Sequence, residues 1–325
     1  MEDGEYKTFT FHTRPLTQTS FNLDGDLLVA SSLDSKISIW NVDGKFLGSL
    51  EDHKGAVWGF SISDDGNKLV SGSSDCNGIV WDILSGKIIS SVQGNSSVKS
   101  VYFLKEGFLY LCDNSYNQRP LIGFNDIRSK DSKIYYTENN PTKVISENSE
   151  NYIIYSDIEG NINCLDRRNE KIITKKIHNA KIQDLKNSYC KTFFISSSLD
   201  SQAKIIDPLS LKEIRTFYSD DPVNSAAIFT SNDIIIMGGG ISARDVTLTK
   251  GKKTFDVNFY DIITQKHIGH YSPHFGTINT VDVHPSGQYF CSGGEDGILS
   301  LIKFDQGYYN GIENEMDTIK NTVTF

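Results

Sequence analysis

Residues Asp75–Asp82 read Asp-Cys-Asn-Gly-Ile-Val-Trp-Asp, and residues Asp34–Asn41 read Asp-Ser-Lys-Ile-Ser-Ile-Trp-Asn. The two stretches share an acidic start, an apolar run that reaches a tryptophan, and a final acid or amide. They lie 41 residues apart, because Trp81 follows Trp40 by that distance. A period of this length indicates a chain built from structural repeats.

The same pattern continues through the chain as seven segments. Each segment has one anchor position equivalent to that of the first tryptophan, namely Trp40, Trp81, Phe124, Leu165, Ile206, Tyr260 and Ile302. Subtraction gives intervals of 41, 43, 41, 41, 54 and 42 residues between successive anchors. Only the fifth interval is long, so we expect about a dozen inserted residues before Tyr260.

Each segment reads as four short strands separated by turns rich in Gly, Asn and Asp. The second segment shows this order most clearly, with predicted strands at 56–62, 69–73, 78–82 and 88–92. Seven segments of four strands predict an all-β chain folded as a seven-bladed β-propeller. We expect residues 1–305 to form this domain and residues 306–325, which lack periodicity, to form a C-terminal tail.

Composition disfavours nucleic-acid binding. The net charge is −9, and the densest basic run is the short Lys-Gly-Lys-Lys stretch at 250–253. Tight binding to a phosphate backbone generally requires a concentrated positive surface. The composition therefore disfavours direct, tight binding to nucleic acid.

The cysteines and the N-terminus indicate a cytoplasmic protein. The five cysteines, at positions 76, 112, 164, 190 and 291, are scattered and form no Cys-x-x-Cys motif, which is typical of reduced thiols. The start Met1–Glu5 is acidic rather than hydrophobic, and no stretch approaches the ~20 apolar residues that span a bilayer. Neither secretion nor a membrane location is predicted.

Catalytic, metal and cofactor sites are not predicted, although two groups of residues invite such interpretations. Gly238–Gly240 follows an apolar strand as a phosphate-binding loop would, but no Gly-Lys-Ser/Thr follows, so a crowded inner strand explains it better. His267 and His270 could suggest a metal site, because imidazoles bind zinc well. They lie three residues apart on a predicted strand, however, and should therefore face opposite sides of it. The alternative of an enzyme with a site in the central channel would require convergent His, acid or metal-binding residues there, and the sequence shows none beyond those of the repeat pattern.

Exposed aromatic residues are candidates for interface anchors. Strand alternation places Trp58 on the opposite face from Val57, which favours a core position for it. Tyr218 lies close to the acidic pair Asp220 and Asp221 and is the better candidate for a surface anchor.

The repeats resemble those of the WD-repeat family, in which a His, a strand Ser or Thr, a turn Asp and a strand Trp hydrogen-bond inside each blade. Two segments keep the full structural set, with His12, Asp34 and Trp40 in the first and His53, Asp75 and Trp81 in the second. The candidate serines are Ser31 or Ser32, then Ser71 or Ser73. Later segments keep His178 with Asp200 and His274 with Asp296 but end at isoleucine, and the third and fourth segments lack the histidine.

In WD-repeat proteins the N-terminal strand commonly completes the last blade, so that the ring has no open edge. The resemblance therefore implies that residues Lys7–Phe11 form the outer strand of the seventh blade.

Several strings resemble one particular WD-repeat family, subunit I of eukaryotic translation initiation factor 3. They are His12–Gln18, His53–Trp58, Asp221–Ala227, Gly238–Gly240, Ala243–Thr247, His274–Val281 and Ser292–Gly297. The resemblance runs from about residue 9 to about residue 305 and accounts for the insertion before Tyr260.

This resemblance implies a non-catalytic scaffold without cofactor, which docks the C-terminal segment of the factor's large B subunit and the N-terminal part of its G subunit. The assembled factor acts on the small ribosomal subunit during initiation. In the family, acidic and aromatic residues beside the fifth and sixth blades contact the large B subunit, which corresponds here to Asp207, Tyr218, Asp220 and Asp221. The alternative is another WD-repeat adaptor, of signalling or of RNA-protein assembly.

Overall fold

The computed structural model describes residues 6–129, 132–229, 233–240 and 255–304. Within these residues the strands form seven antiparallel sheets of four strands each. Short strands with tight polar turns favour such antiparallel sheets, because each turn reverses the chain and lets neighbours pair. Each sheet is one blade of a propeller, which confirms the predicted all-β, seven-bladed fold.

The first strand, β1 (Tyr6–Thr10), stands apart from the blade that follows it in sequence. Blade 1 contains β2 Leu16–Phe21, β3 Leu27–Ser32, β4 Ile37–Asn41 and β5 Phe46–Leu50. Blade 2 contains β6 Val57–Ile62, β7 Lys68–Ser73, β8 Asn77–Asp82 and β9 Ile88–Gln93. Blade 3 contains β10 Val98–Phe103, β11 Gly107–Cys112, a 3₁₀ helix at Ser115–Asn117, β12 Leu121–Asp126 and β13 Ser132–Tyr136.

The remaining blades repeat this order. Blade 4 contains β14 Pro141–Ser146, β15 Tyr152–Asp157, β16 Asn161–Asp166 and β17 Ile172–Lys176. Blade 5 contains β18 Ile182–Asn187, β19 Phe194–Ser198, β20 Gln202–Ile206 and β21 Glu213–Tyr218. Blade 6 contains β22 Val223–Ile228, β23 Ile234–Gly239, β24 Val257–Asp261 and β25 His267–Tyr271, and blade 7 contains β26 Ile278–Val283, β27 Tyr289–Gly294 and β28 Ile298–Lys303.

The ring is closed by β1, which pairs with β28 as the fourth strand of blade 7. Phe9 lies opposite Leu299 in this pairing and is buried, with its ring centroid 4.8 Å from that of Trp40 in blade 1. The N-terminal strand therefore joins the last blade to the first, as predicted, and it occupies Tyr6–Thr10.

The apolar core lies between neighbouring blades. The predicted anchor residues all fall in the third strand of their blade, and each pairs with an apolar residue of the second strand; Trp81, for example, pairs with Leu69. Both are fully buried and pack with Ile39 of blade 1 and Phe60 of blade 2. Burying a large apolar side chain contributes about 1.5–3 kcal/mol, so these contacts hold adjacent blades together.

The chain direction defines two faces of the disc. The loops that join consecutive blades and the turns between second and third strands form the upper face, while the other turns form the lower face. In every blade the first strand, which lines the central channel, has a β-bulge near its upper end. A bulge inserts an unpaired residue and changes the direction of its side chain.

Charged residues cross the channel between blades. Lys143 of β14 lies 3.5 Å from Asp184 of β18, and Lys186 of β18 lies 3.5 Å from Asp282 of β26. Burial alone would lower the pKa of Lys186, but the carboxylates of Asp282 and Asp184 outweigh it and raise that pKa, so the lysine stays charged. Because β18 belongs to blade 5 and β26 to blade 7, the second pair reaches past blade 6.

Some sequence expectations fall outside the described residues. These are the string Ala243–Thr247, the basic run at 250–253 and the tail at 306–325, so the proposed boundary at residue 305 stays a prediction. In the part of the chain that the structure describes, no helix is long and apolar enough to cross a membrane.

Candidate docking surfaces and the networks that support them

Blade 2 contains the complete hydrogen-bond network of a WD repeat. His53 Nδ1 lies 3.0 Å from a carboxylate oxygen of Asp75, and His53 Nε2 lies 2.7 Å from Ser71 Oγ. Trp81 Nε1 donates to the same Ser71 oxygen at 2.8 Å. The Asp75 carboxylate can only accept, so the imidazole donates to it from Nδ1. Nε2 of the neutral ring then accepts from the Ser71 hydroxyl, whose oxygen accepts from Trp81. The network connects the loop before the blade to its third strand.

Blade 1 has the same network with a different serine. His12 Nδ1 lies 3.0 Å from Asp34, while His12 Nε2 lies 2.9 Å from Ser38 Oγ. Trp40 Nε1 donates to Ser38 Oγ at 3.0 Å. His12 and Trp40 of the first structural set therefore meet at Ser38, and Asp34 joins them through His12.

The prediction that Ser31 or Ser32 completes this set is wrong. Ala30 occupies the position equivalent to Ser71, so the second strand of blade 1 offers no hydroxyl there. Ser38 is the cross-strand partner of Ala30 and supplies the hydroxyl from the third strand. Ser31 instead lies 2.8 Å from Thr17 Oγ1, and Ser32 donates to the Arg14 carbonyl at 3.0 Å.

Two later blades keep the network without a tryptophan. They contain His178 with Asp200 and Ser196, and His274 with Asp296 and Ser292. In both, Nδ1 lies 3.0 Å from the carboxylate, and Nε2 lies 2.7 Å and 2.8 Å from the serine. Asp, His and Ser in this order also form the triad of serine hydrolases. Here, however, the serines of all four networks have no exposed surface, so no substrate reaches them.

Burial sets the protonation of these networks. It disfavours the charged imidazolium and lowers the pKa of His12, His53 and His178 below 6.5. Burial alone would raise the pKa of Asp75 and Asp296, but hydrogen bonds from backbone N–H groups and from the histidine outweigh it and lower the pKa of both carboxyls. In the networks of these three histidines, a neutral imidazole thus lies between a carboxylate and a hydroxyl.

The predicted partner-binding residues Tyr218, Asp220 and Asp221 lie together. They line a groove of about 490 Å³ at the upper face between blades 5 and 6. Asp256 and Tyr260 of blade 6 line the same groove, and burial raises the pKa of Tyr260, which stays a neutral phenol. We call this surface the acidic groove.

Asp207 lies at the other end of blade 5. It follows β20 in the lower-face turn that leads to β21, whereas Tyr218 is the last residue of β21 at the upper face. Its carboxylate accepts hydrogen bonds from Ser210 Oγ at 2.6 Å and from the Leu209 backbone N–H at 3.2 Å. These hydrogen bonds, the Ser210 one above all, lower the pKa of Asp207. The structure thus gives Asp207 a role in its turn and separates it from the acidic groove.

Sequence reasoning missed Asp256, because it lies just after the inserted residues and its neighbours depend on how β24 pairs with β23. It also misplaced His267 and His270. A bulge in β25 shifts the pairing between Phe259 and Tyr260, and the two imidazoles stack with centroids 6.3 Å apart instead of facing opposite sides. No strand-alternation rule anticipates a bulge.

The described residues contain no cluster of three or more His, Cys, Asp or Glu side chains suited to a metal ion. The glycines at 238 and 239 are explained by crowding. A Cβ on Gly238 would lie 2.7 Å from Ile278 and Val281, and one on Gly239 would lie 2.0 Å from the Pro222 carbonyl oxygen. Neither position accepts a side chain.

Comparison with known proteins identifies the family. The EIF3I family model matches residues 8–313. "Eukaryotic translation initiation factor 3 subunit I" of Drosophila melanogaster is 34% identical over 316 residues, which cover 93% of this chain and 97% of the relative. The protein of the same name from Kluyveromyces lactis is 35% identical over 319 residues, covering 92% of each chain.

A solved structure supports the fold independently. The β-propeller domain of Cps50 (Swd1) from Myceliophteria thermophila superposes with a TM-score of 0.77, covering 92% of this chain and 100% of that domain, at 16% sequence identity. At this identity the likeness concerns the fold alone. The family model and the sequence relatives carry the assignment, and the chain belongs to the EIF3I family, the family of subunit I of eukaryotic translation initiation factor 3.

Proposed function

We propose that this chain is a non-catalytic scaffold subunit of the translation initiation factor 3 complex, acting in the cytoplasm. In this role it docks the C-terminal segment of the large B subunit and the N-terminal part of the G subunit, and it supports initiation on the small ribosomal subunit through that complex. Membership of the EIF3I family supports the assignment of this chain to the complex. The acidic groove is the observation that supports the location of the docking site.

The acidic groove has the chemistry of a docking site for a basic or aromatic helix. Tyr218 is 67% exposed at its edge, although an aromatic ring of this size is usually covered in a soluble protein. Asp220 beside it is exposed as well. Aromatic residues commonly supply the affinity of an interface, and charged neighbours supply its orientation and association rate.

The position of Asp207 sets the length of the partner segment. The six residues of β21 span roughly 20 Å at about 3.3 Å per residue. A helix that contacts both ends of β21 therefore needs about 13 residues at about 1.5 Å each. Exposed Leu209 and Ile214 lie along this side of blade 5, so the partner helix would place apolar residues between two basic ends.

A structural use of the histidines supports the non-catalytic assignment. The hydroxyls that contact His12, His53, His178 and His274 have no exposed surface, so these His–Ser pairs have no access to a substrate. Their networks hold the inter-blade loops, including the loop that opens blade 7 next to the groove.

Charge reversal in the acidic groove tests the proposal. In a binding assay with the purified C-terminal segment of the large B subunit, Asp220→Lys should weaken binding by about 2–5 kcal/mol, because it removes one partner of a charge pair that becomes buried. Asp24→Lys, an exposed acid in a lower-face turn of blade 1, is the matched control and should bind normally.

A second variant tests whether Asp207 contributes to binding in addition to the acidic groove. Asp207→Lys should weaken binding only if the segment extends along the whole of β21. Equal binding by wild type, Asp220→Lys and Asp24→Lys would refute the acidic groove as the site.

A further inference from the structure

The upper mouth of the central channel is a second concave surface, built by the bulges. In each blade the unpaired residue of the first strand points into one funnel of about 760 Å³. These residues are Thr17, Trp58, Lys99, Thr142, Gln183, Asn224 and Asn279. Bulges often re-aim side chains beside functional sites, and here seven of them converge on one place.

Two lysines of the funnel are already paired. Lys99 Nζ lies 3.6 Å from the centre of the Trp58 ring and 3.5 Å from a carboxylate oxygen of Asp113. Lys143 Nζ lies 3.5 Å from Asp184. Trp58 is therefore a half-buried wall of the funnel under a cation, not the core residue that strand alternation predicts.

Lys181 differs from these two lysines. It precedes β18, is half-buried at the funnel wall, and its ammonium has no hydrogen bond or ion pair with any part of the chain that the structure describes. Burial, together with the nearby ammonium groups of Lys99 and Lys143, lowers the pKa of Lys181. A partly desolvated cation without a counter-charge is unfavourable and is stabilised by an anionic ligand.

A second polar group of the funnel also lacks a partner. The indole N–H of Trp58 is buried and donates to no acceptor among the described residues. A buried donor without an acceptor costs free energy, and this one has essentially no exposed surface through which a ligand in the funnel could contact it.

The rim of the funnel carries apolar residues in three blades. Leu33, Ile158 and Leu199 occupy equivalent turns between the second and third strands of blades 1, 4 and 5. Ile158 is 45% exposed and Leu199 is 39% exposed. The adjacent turn of blade 7 presents Glu295 instead.

We infer that this funnel binds an extended segment of a partner protein in which an aspartate or glutamate is flanked by apolar residues. The carboxylate contacts Lys181, while the flanking residues cover Ile158 and Leu199. Asp113, Asp184 and Glu295 also line the cavity, so a single carboxylate matches it better than a polyanionic RNA backbone. The inference rests on the proposed scaffold function and adds a second docking surface to it.

Site-specific cross-linking within the assembled complex tests this inference. A photoreactive benzoylphenylalanine replaces Leu199 at the rim, and the control replaces Leu84, which is 96% exposed in a lower-face turn. We expect the Leu199 probe to cross-link an acidic segment of another subunit, identified by mass spectrometry. Lys181→Met should abolish this product, whereas Lys212→Glu, an exposed lysine in the lower-face turn of the same blade, should retain it.

A titration then measures the contact. A synthetic copy of the cross-linked segment should change the fluorescence of Trp58, since Trp40 and Trp81 are buried elsewhere. Lys181→Met, or an amide in place of the segment's carboxylate, should weaken binding about tenfold or more.

The inference is overturned if the Leu199 probe captures no more than the Leu84 probe, if it captures RNA, or if Lys181→Met binds like wild type. These outcomes differ from failure of the proposed function, in which the tagged chain would not assemble with the other subunits at all.

Discussion

At the scale of single residues, the WD-repeat networks show which contacts a repeat pattern predicts. The histidines, aspartates and tryptophans could be assigned from their resemblance to WD repeats, because the His–Asp spacing of 22 residues recurs in four blades. The serine of blade 1 could not, since an alanine at the expected position moves the hydroxyl to the neighbouring strand. A cross-strand substitution of this kind is visible only once the register is known.

The role of Ser38 can be tested by moving the hydroxyl. Ser38→Ala leaves His12 Nε2 and the Trp40 N–H without their shared partner and should lower the free energy of unfolding by about 1–3 kcal/mol. The double variant Ala30→Ser/Ser38→Ala returns a hydroxyl from the opposite strand, as in blade 2, and should recover part of that loss. Urea denaturation measures both. A Ser38→Ala protein as stable as wild type would contradict the assignment.

Three buried histidines predict a pH dependence of stability. The folded state lowers the pKa of His12, His53 and His178, so the unfolded chain binds more protons below its ordinary value of 6.5. Stability is therefore greatest above this pH and falls as the pH drops through 6.5, by at most about 1.4 kcal/mol per pH unit for each histidine. The pKa of Asp75 and Asp296 is also lowered, so these carboxylates titrate below this window.

Urea denaturation between pH 7.5 and 5.5, ~2 pH units across the window, measures this slope. His178→Asn should be less stable than wild type at the higher pH and should show a shallower decline, because one titrating group is gone. Stability that is constant or rises on acidification would show that the histidines are not the groups responsible.

At the scale of elements, the period of about 41 residues predicts the strands well because every blade repeats one pattern of burial. The errors arise where the pairing shifts. The bulges in the first strands re-aim Trp58, and the bulge in β25 brings His267 and His270 together. A bulge depends on the geometry of two paired strands and leaves little trace in either sequence.

The closing strand β1 has a measurable contribution to stability. Phe9 is 5% exposed and packs on Trp40, so Phe9→Ala should lower the free energy of unfolding by about 3–5 kcal/mol. Thr8→Ala changes an exposed residue of the same strand and is the control. Thermal denaturation of both variants, and of a chain that lacks residues 1–11, measures the effect. A truncated chain that melts at the wild-type temperature would refute closure by β1.

At the scale of the whole molecule, sequence predicts the ring, its closure and the family, but not which surfaces face each other. The bridge from Lys186 to Asp282 connects blades that are not neighbours, and its residues lie 96 positions apart. Asp207 and Asp220 are close in sequence, yet the antiparallel strand between them places them on opposite faces. Proximity along a β-chain is therefore a poor guide to a shared surface.

The central claim is that this propeller serves as a scaffold of translation initiation factor 3, and purification of the tagged full-length chain tests it most directly. Native mass spectrometry of the purified material should show the B and G subunits of the factor in equal stoichiometry with the chain, together with small ribosomal subunits at lower ionic strength. Recovery of the folded chain without these two proteins, or with a different set of stoichiometric partners, would contradict the claim.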